Sequence, residues 1–122
     1  MNGAVTGALV LSAALLASAA SAAGPVRNAR CDIWQRNAIQ YDGPCNLRPE
    51  GGGSFSLTFP HSEEAESLEQ YHVTRIRVRV VQRRVAQVSE PDRRVDVSWG
   101  RAIRSRHDRA CWEGDYWHVC AY

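Results

Sequence analysis

Arg75-Ile76-Arg77-Val78-Arg79-Val80 alternates strictly between charged and apolar side chains. Successive side chains of an extended strand point to opposite faces, so this stretch has one arginine face and one face of Ile and Val. A helix would scatter the same arginines around its circumference. The alternation recurs on both sides. Phe55, Leu57 and Phe59 interleave with Ser56 and Thr58, and Val95, Val97 and Trp99 interleave with Asp96 and Ser98. One-sided strands of this kind belong to antiparallel sheets with a single solvated face. Turn chemistry at Arg36-Asn37, Gly43-Pro44, Glu50-Gly51-Gly52-Gly53, Glu90-Pro91-Asp92 and Glu113-Gly114-Asp115 separates the strands. Ser62 to Gln70 breaks the pattern: Glu63, Glu64, Glu66 and Glu69 surround Ala65 and Leu68, which fits one or two helical turns or an acidic loop. The expected fold is all-β, a small antiparallel meander of six or seven strands, rolled or packed as a sandwich.

At 122 residues the chain has room for one domain, which excludes a multidomain enzyme. Residues 1–22 carry no charged side chain; an apolar run from Val10 to Ala17 is followed by Ala20-Ser21-Ala22. That core is too short for a membrane span and ends in a small-x-small pattern, so it predicts a cleaved signal peptide over 1–22. The remaining 23–122 form a single β-rich domain without a transmembrane anchor, exported to the periplasm or secreted. Cys31, Cys45, Cys111 and Cys120 all follow the predicted signal, and an oxidising destination favours disulfides. The spacings, 13, 65 and 8 intervening residues, lack the close pairs of a zinc site. Three connectivities are possible. The pairs 31–45 and 111–120 are preferred because each brackets a hairpin.

Charge is the feature that chance explains least well. The chain has 15 basic residues, all of them arginine, against 13 acidic ones. Residues 75–109 hold eleven of the arginines against Glu90, Asp92, Asp96 and Asp108, a local balance of +7. Arg75, Arg77 and Arg79 should form a stripe on one strand, about 7 Å apart. Arg101, Arg104, Arg106 and Arg109 form a second cluster before Cys111. Guanidinium groups bind phosphate, sulfate or carboxylate bidentately. The competing expectation is a solvated face whose arginines pair with the acidic segment.

Other candidates carry less. Ser105, His107 and Asp108 contain the residue types of a catalytic triad, but triads are assembled from distant positions and no nucleophile elbow occurs. His61, His72 and His118 have no ligand spacing. No catalytic residue, metal ligand or cofactor is therefore expected. Trp34, Trp99 and Trp112 are expected in the core, Trp112 and Trp117 as cover for the 111–120 bridge, and Tyr116 or Trp117 as an exposed contact beside a turn.

The blocks CDIWQRNAIQYDGPCNL (31–47), GGGSFSL (51–57) and SWGRAIRSRHDRACWEGDYWHVCAY (98–122) resemble a group of small secreted bacterial proteins of unknown function. The shared pattern is C-x-I, then Y-x-G-P-C, a glycine-rich turn before S-F-S-L, and a closing A-C-W…C-A-Y. The resemblance implies export and a cysteine-paired β fold, and it transfers no catalytic residue.

The expected function is non-enzymatic binding of an anionic envelope component, with Arg75, Arg77 and Arg79 as the stripe and Arg101, Arg104 and Arg106 beside it. The alternative is an inhibitor or protein-interaction module that presents residues 113–116, with Tyr116 and Trp117, on the stapled hairpin. Export, a small net charge and the lack of any nucleic-acid motif disfavour nucleic acid as a partner.

Overall fold

The computed structural model describes residues 3–4, 7–8, 22–91 and 96–122. Eight strands follow one another: β1 Arg27–Gln35, β2 Gln40–Gly51, β3 Ser54–Thr58, β4 Arg75–Gln82, β5 Val85–Glu90, β6 Val97–Arg104, β7 Cys111–Glu113 and β8 Trp117–Ala121. Each pairs antiparallel with its neighbour, and β8 returns to pair with β1, Cys31 lying opposite Ala121 and Ile33 opposite Val119. The meander is thus an up-and-down closed barrel. The predicted signal peptide, 1–22, lies almost wholly outside the described residues, as does the segment 92–95.

Alternation along the strands fills the barrel. Ile33, Leu57, Ile76, Val78, Val88 and Val119 are completely buried, while Arg75, Arg79 and Arg101 face outward. Eight strands enclose a space just wide enough for side chains, so the interior is a packed core. Apolar residues inside and charged residues outside reverse the pattern of a membrane barrel, whose apolar band faces lipid. Among the described residues no helix is long and apolar enough to cross a membrane.

Both disulfides form as expected, 31–45 and 111–120. Cys31 and Cys45 point inward and link β1 to β2 inside the barrel, each almost fully buried. Cys111 and Cys120 sit directly opposite each other on β7 and β8. Their bridge lies on the outer face, where the Tyr122 hydroxyl is 3.7 Å from Cys111 Sγ. Trp112 and Trp117 are buried on the inner face and do not cover it, because they alternate with the cysteines along short strands.

The expected count of strands is low because two connections, Arg83–Arg84 and Ser105–Ala110, carry no glycine, proline or asparagine. Gln82 pairs with Val85, so Arg83 and Arg84 alone turn the chain, and Arg84 takes φ 62°. Conversely, Gly43 and Pro44 lie inside β2 rather than at a turn. Pro44 is tolerated because β3 pairs only from Asn46 onward, which leaves that side of β2 without a ladder. Gly43 leaves room for the Tyr41 ring, whose hydroxyl donates to the Pro44 carbonyl.

Two further placements, one aromatic and one aliphatic, differ from expectation. Trp34 is 38% exposed and stacks on His118, since it points outward between inward Ile33 and Gln35. Val97 is exposed because a bulge inserts one residue between the pairs Val88–Gly100 and Ser89–Ser98. Gly100, at φ 103°, adopts the left-handed backbone that the bulge requires.

The two ends of the barrel differ. At one end the connection between β3 and β4 forms a 3-10 turn, Glu63–Ala65, and a short helix α1, Glu66–Gln70. Ala65, Leu68 and Val73 are buried in the same core as Ile39 and Tyr41, and Ser67 Oγ donates to the Gln40 carbonyl at 2.8 Å. Apolar plugging closes this end, and the 3-10 turn and helix expose Glu63, Glu64, Glu66 and Glu69 around the plug. The β7–β8 turn lies at the same end and depends on close approach. A Cβ on Gly114 would lie 2.0 Å from Trp117 Cε2. Gly114→Ala is therefore expected to destabilise the protein by about 1–3 kcal/mol through overpacking. Chemical denaturation with Trp117 fluorescence checks this, and an unchanged midpoint would contradict it.

Candidate anion-binding mouth

The opposite end is open. The β2–β3, β4–β5 and β6–β7 connections and the outer ends of β1 and β8 surround a cavity of about 920 Å³. Arg27, Arg83, Arg84, Arg104, Arg106 and Arg109 line it, and among the described residues no carboxylate does. Its floor is apolar, formed by Leu47, Phe55, Val80 and Trp112 where the packed interior begins. Each strand end delivers one part of this arrangement. Arg104 ends β6, Arg83 and Arg84 form the β4–β5 turn, and Arg106 and Arg109 belong to the β6–β7 loop.

Two of these guanidinium groups are positioned without being neutralised. Arg84 Nη2 donates to the Arg104 carbonyl at 2.9 Å, while the Arg104 backbone N–H donates to the Arg84 carbonyl at 3.0 Å. Arg104 Nε donates to the Arg109 carbonyl at 2.8 Å, and its guanidinium lies 5.7 Å from the centre of the Trp112 ring. Carbonyls and an aromatic face orient these cations but leave their charge intact. Among the described residues, none of the six lining arginines forms an ion pair.

The loop between Arg104 and Cys111 is built by its polar residues. Ser105 Oγ accepts from the backbone N–H groups of His107 and Asp108, both at 3.2 Å. Asp108 accepts from the Ala110 N–H at 3.0 Å and from the Tyr122 hydroxyl at 2.6 Å. Ser105, His107 and Asp108 thus build a turn, with the serine oxygen and the carboxylate bonded to other groups.

The bond from Tyr122 is the main cause that lowers the Asp108 pKa, helped by the Ala110 N–H, and the same bond raises the Tyr122 pKa above its usual 10. A depressed carboxyl pKa contributes stability above the ordinary carboxylate range and loses it as pH falls through the lowered value. The clamp should hold through neutral pH and release in acid. Protection factors for amide exchange at residues 107–110, taken against the intrinsic rate at each pH, should fall below about pH 4, and Tyr122→Phe should lower them at neutral pH. Identical protection in the variant would contradict this.

The predicted site residues divide between three places. Arg104 and Arg106 lie at the mouth. Arg75, Arg77, Arg79 and Arg101 lie on the outer wall of β4 and β6. Arg79 and Arg101 flank Gln87 in register, whereas Arg77 pairs with Glu50 at 3.2 Å. No ion pair among the described residues joins the stripe to Glu63, Glu64, Glu66 or Glu69; Glu69 instead meets His61 at 2.9 Å. Tyr116 and Trp117 lie at the plugged end. Tyr116 is 62% exposed beneath the Arg36 guanidinium, and Trp117 is buried edge-on against Trp99.

Sequence reasoning singled out neither Arg27 nor the Arg83–Arg84 pair as binding residues. The signal for the pair was its place between two alternating apolar runs, where a hairpin turn was due. One further cluster, Asp32, His118 and Cys120, has its donor atoms within 4.8 Å. Cys120 is held in the disulfide, so no thiolate is available to a metal. In comparisons with known proteins, no protein-family profile, no curated protein and no solved structure matches the chain.

Proposed function

We propose that the protein is an exported, non-enzymatic binding domain whose barrel mouth takes an anionic component of the cell envelope. The observation that carries this reading is the mouth itself: six arginines, an apolar floor and, among the described residues, no carboxylate in the lining. Cationic groups fixed before the ligand arrives lose little ordering entropy on binding. The charge layout adds to this. Glutamates cluster around the plugged end and arginines around the open one, so the field of the domain steers an anion to the mouth. Export is supported by the uncharged apolar run at residues 1–22 and by two disulfides with no free cysteine among the described residues.

The test is retention of the purified domain on an anionic envelope extract at rising ionic strength. Binding should fall steeply between about 0.05 and 0.5 M salt, where the screening length shortens from roughly 14 to 4 Å. Retention that ignores salt, or no retention at low salt, would count against this function.

A further inference from the structure

We infer that the ligand of the mouth is an anionic amphiphile, one phosphate-type headgroup on a single apolar stem, rather than an extended polyanion. This rests on the anion-binding reading above and concerns what else the ligand must carry. The rim is lopsided. Five of the six arginines occupy the sides built by the β4–β5 turn and the β6–β7 loop, and Arg27 stands alone on β1. The β2–β3 side is Gly52-Gly53, and a Cβ added at Gly52 would meet nothing within 4 Å. That low lip leads onto Pro49, Phe55 and Leu47. A headgroup held by Arg84 and Arg104 would therefore have apolar surface on one side and below it. A polyanion needs charge along a path, and here the path runs from arginine onto Phe55 and glycine.

Two more observations bear on the stem. Arg104 lies over Trp112, where the charged rim meets the floor, so the junction of head and stem falls on an aromatic face. Beneath the floor the barrel is full: Leu57, Val78 and Val88 are completely buried. The stem can cover the floor but cannot thread the barrel, which limits the length that adds affinity. A volume of about 920 Å³ lies in the range of small-ligand sites.

A phosphate series titrated below its micelle concentration tests this: ethyl, butyl, octyl and dodecyl phosphate, with dodecyl maltoside and linear polyphosphate beside them. Affinity should rise roughly fourfold for each methylene that reaches the floor, then level off. Dodecyl maltoside should bind at least about 100-fold more weakly than dodecyl phosphate, since it lacks the charge-assisted bonds.

Phe55→Gln should weaken dodecyl phosphate and leave ethyl phosphate unchanged. If that variant does not fold, the chain-length series on the unaltered protein decides the matter. Phosphatidic acid vesicles separate the two sources of such a headgroup: capture points to bilayer lipid, and binding of monomer alone points to a free amphiphile. If ethyl phosphate or polyphosphate matches dodecyl phosphate, the amphiphile inference is overturned while anion binding stands. If the maltoside matches dodecyl phosphate, or no phosphate binds, both are overturned.

Discussion

Replacing Arg84 and Arg104 together with glutamine is expected to weaken binding of an alkyl phosphate at least about 100-fold and to leave the barrel folded. Charge-assisted hydrogen bonds are worth roughly 1.5–3 kcal/mol each, so losing two removes about 3 kcal/mol or more, and 1.4 kcal/mol is tenfold. Folding is protected for three reasons. Glutamine keeps an N–H donor for the carbonyls that Arg84 and Arg104 now satisfy. It accepts the left-handed backbone at position 84 no worse than arginine does. The change also removes two like charges from one rim. The control is Arg75→Gln, Arg77→Gln and Arg79→Gln combined, on the outer wall. That triple variant should change affinity by less than about threefold, because exposed charges act only weakly across water and salt. Equal losses in the two variants would shift the site from the mouth to the wall.

The largest loss of stability is expected on removing the inner disulfide, through Cys31→Ala with Cys45→Ala. Closing a loop of this length stabilises by about 3 kcal/mol in the chain-entropy model. Both sulfurs are buried inside the barrel, so their removal also leaves a void. Cys31 lies on β1 at the seam where β8 closes the barrel, which makes it a poor place for slack. For a domain near 100 residues, about 3 kcal/mol lowers the melting temperature by roughly 12–24 °C. The outer bridge, 111–120, closes a shorter loop on the barrel surface and should matter less. Thermal unfolding of the two double variants checks the order, and a smaller drop for the 31–45 variant would contradict it.

Much of this fold could be read before any coordinate. The β4 arginine alternation, the glycine turn before β3 and the two local disulfides all rest on neighbouring residues, where period and spacing speak directly. Closure did not, because the β1–β8 pairing joins residues more than eighty positions apart and leaves no local mark. The β4–β5 turn was hidden for a different reason. Arg84 holds its left-handed backbone through bonds exchanged with Arg104, a tertiary device in place of glycine. The mouth depends on both. Its arginines come from β1, from the unmarked turn and from the β6–β7 loop, and only a closed barrel brings these together. Arg104 and Arg106 were legible as part of a basic cluster; that their neighbours would be Arg27 and Arg83 was not.

If the anion sits at the mouth, nuclear magnetic resonance reads its position directly. Dodecyl phosphate titrated into labelled protein should shift the Nε–Hε signals of Arg84 and Arg104 and the indole N–H of Trp112, with small changes elsewhere. Shifts that instead gather on Arg75, Arg79 and Arg101, or on Trp34 and Tyr116, would place the ligand on the outer wall or at the plugged end and contradict the account.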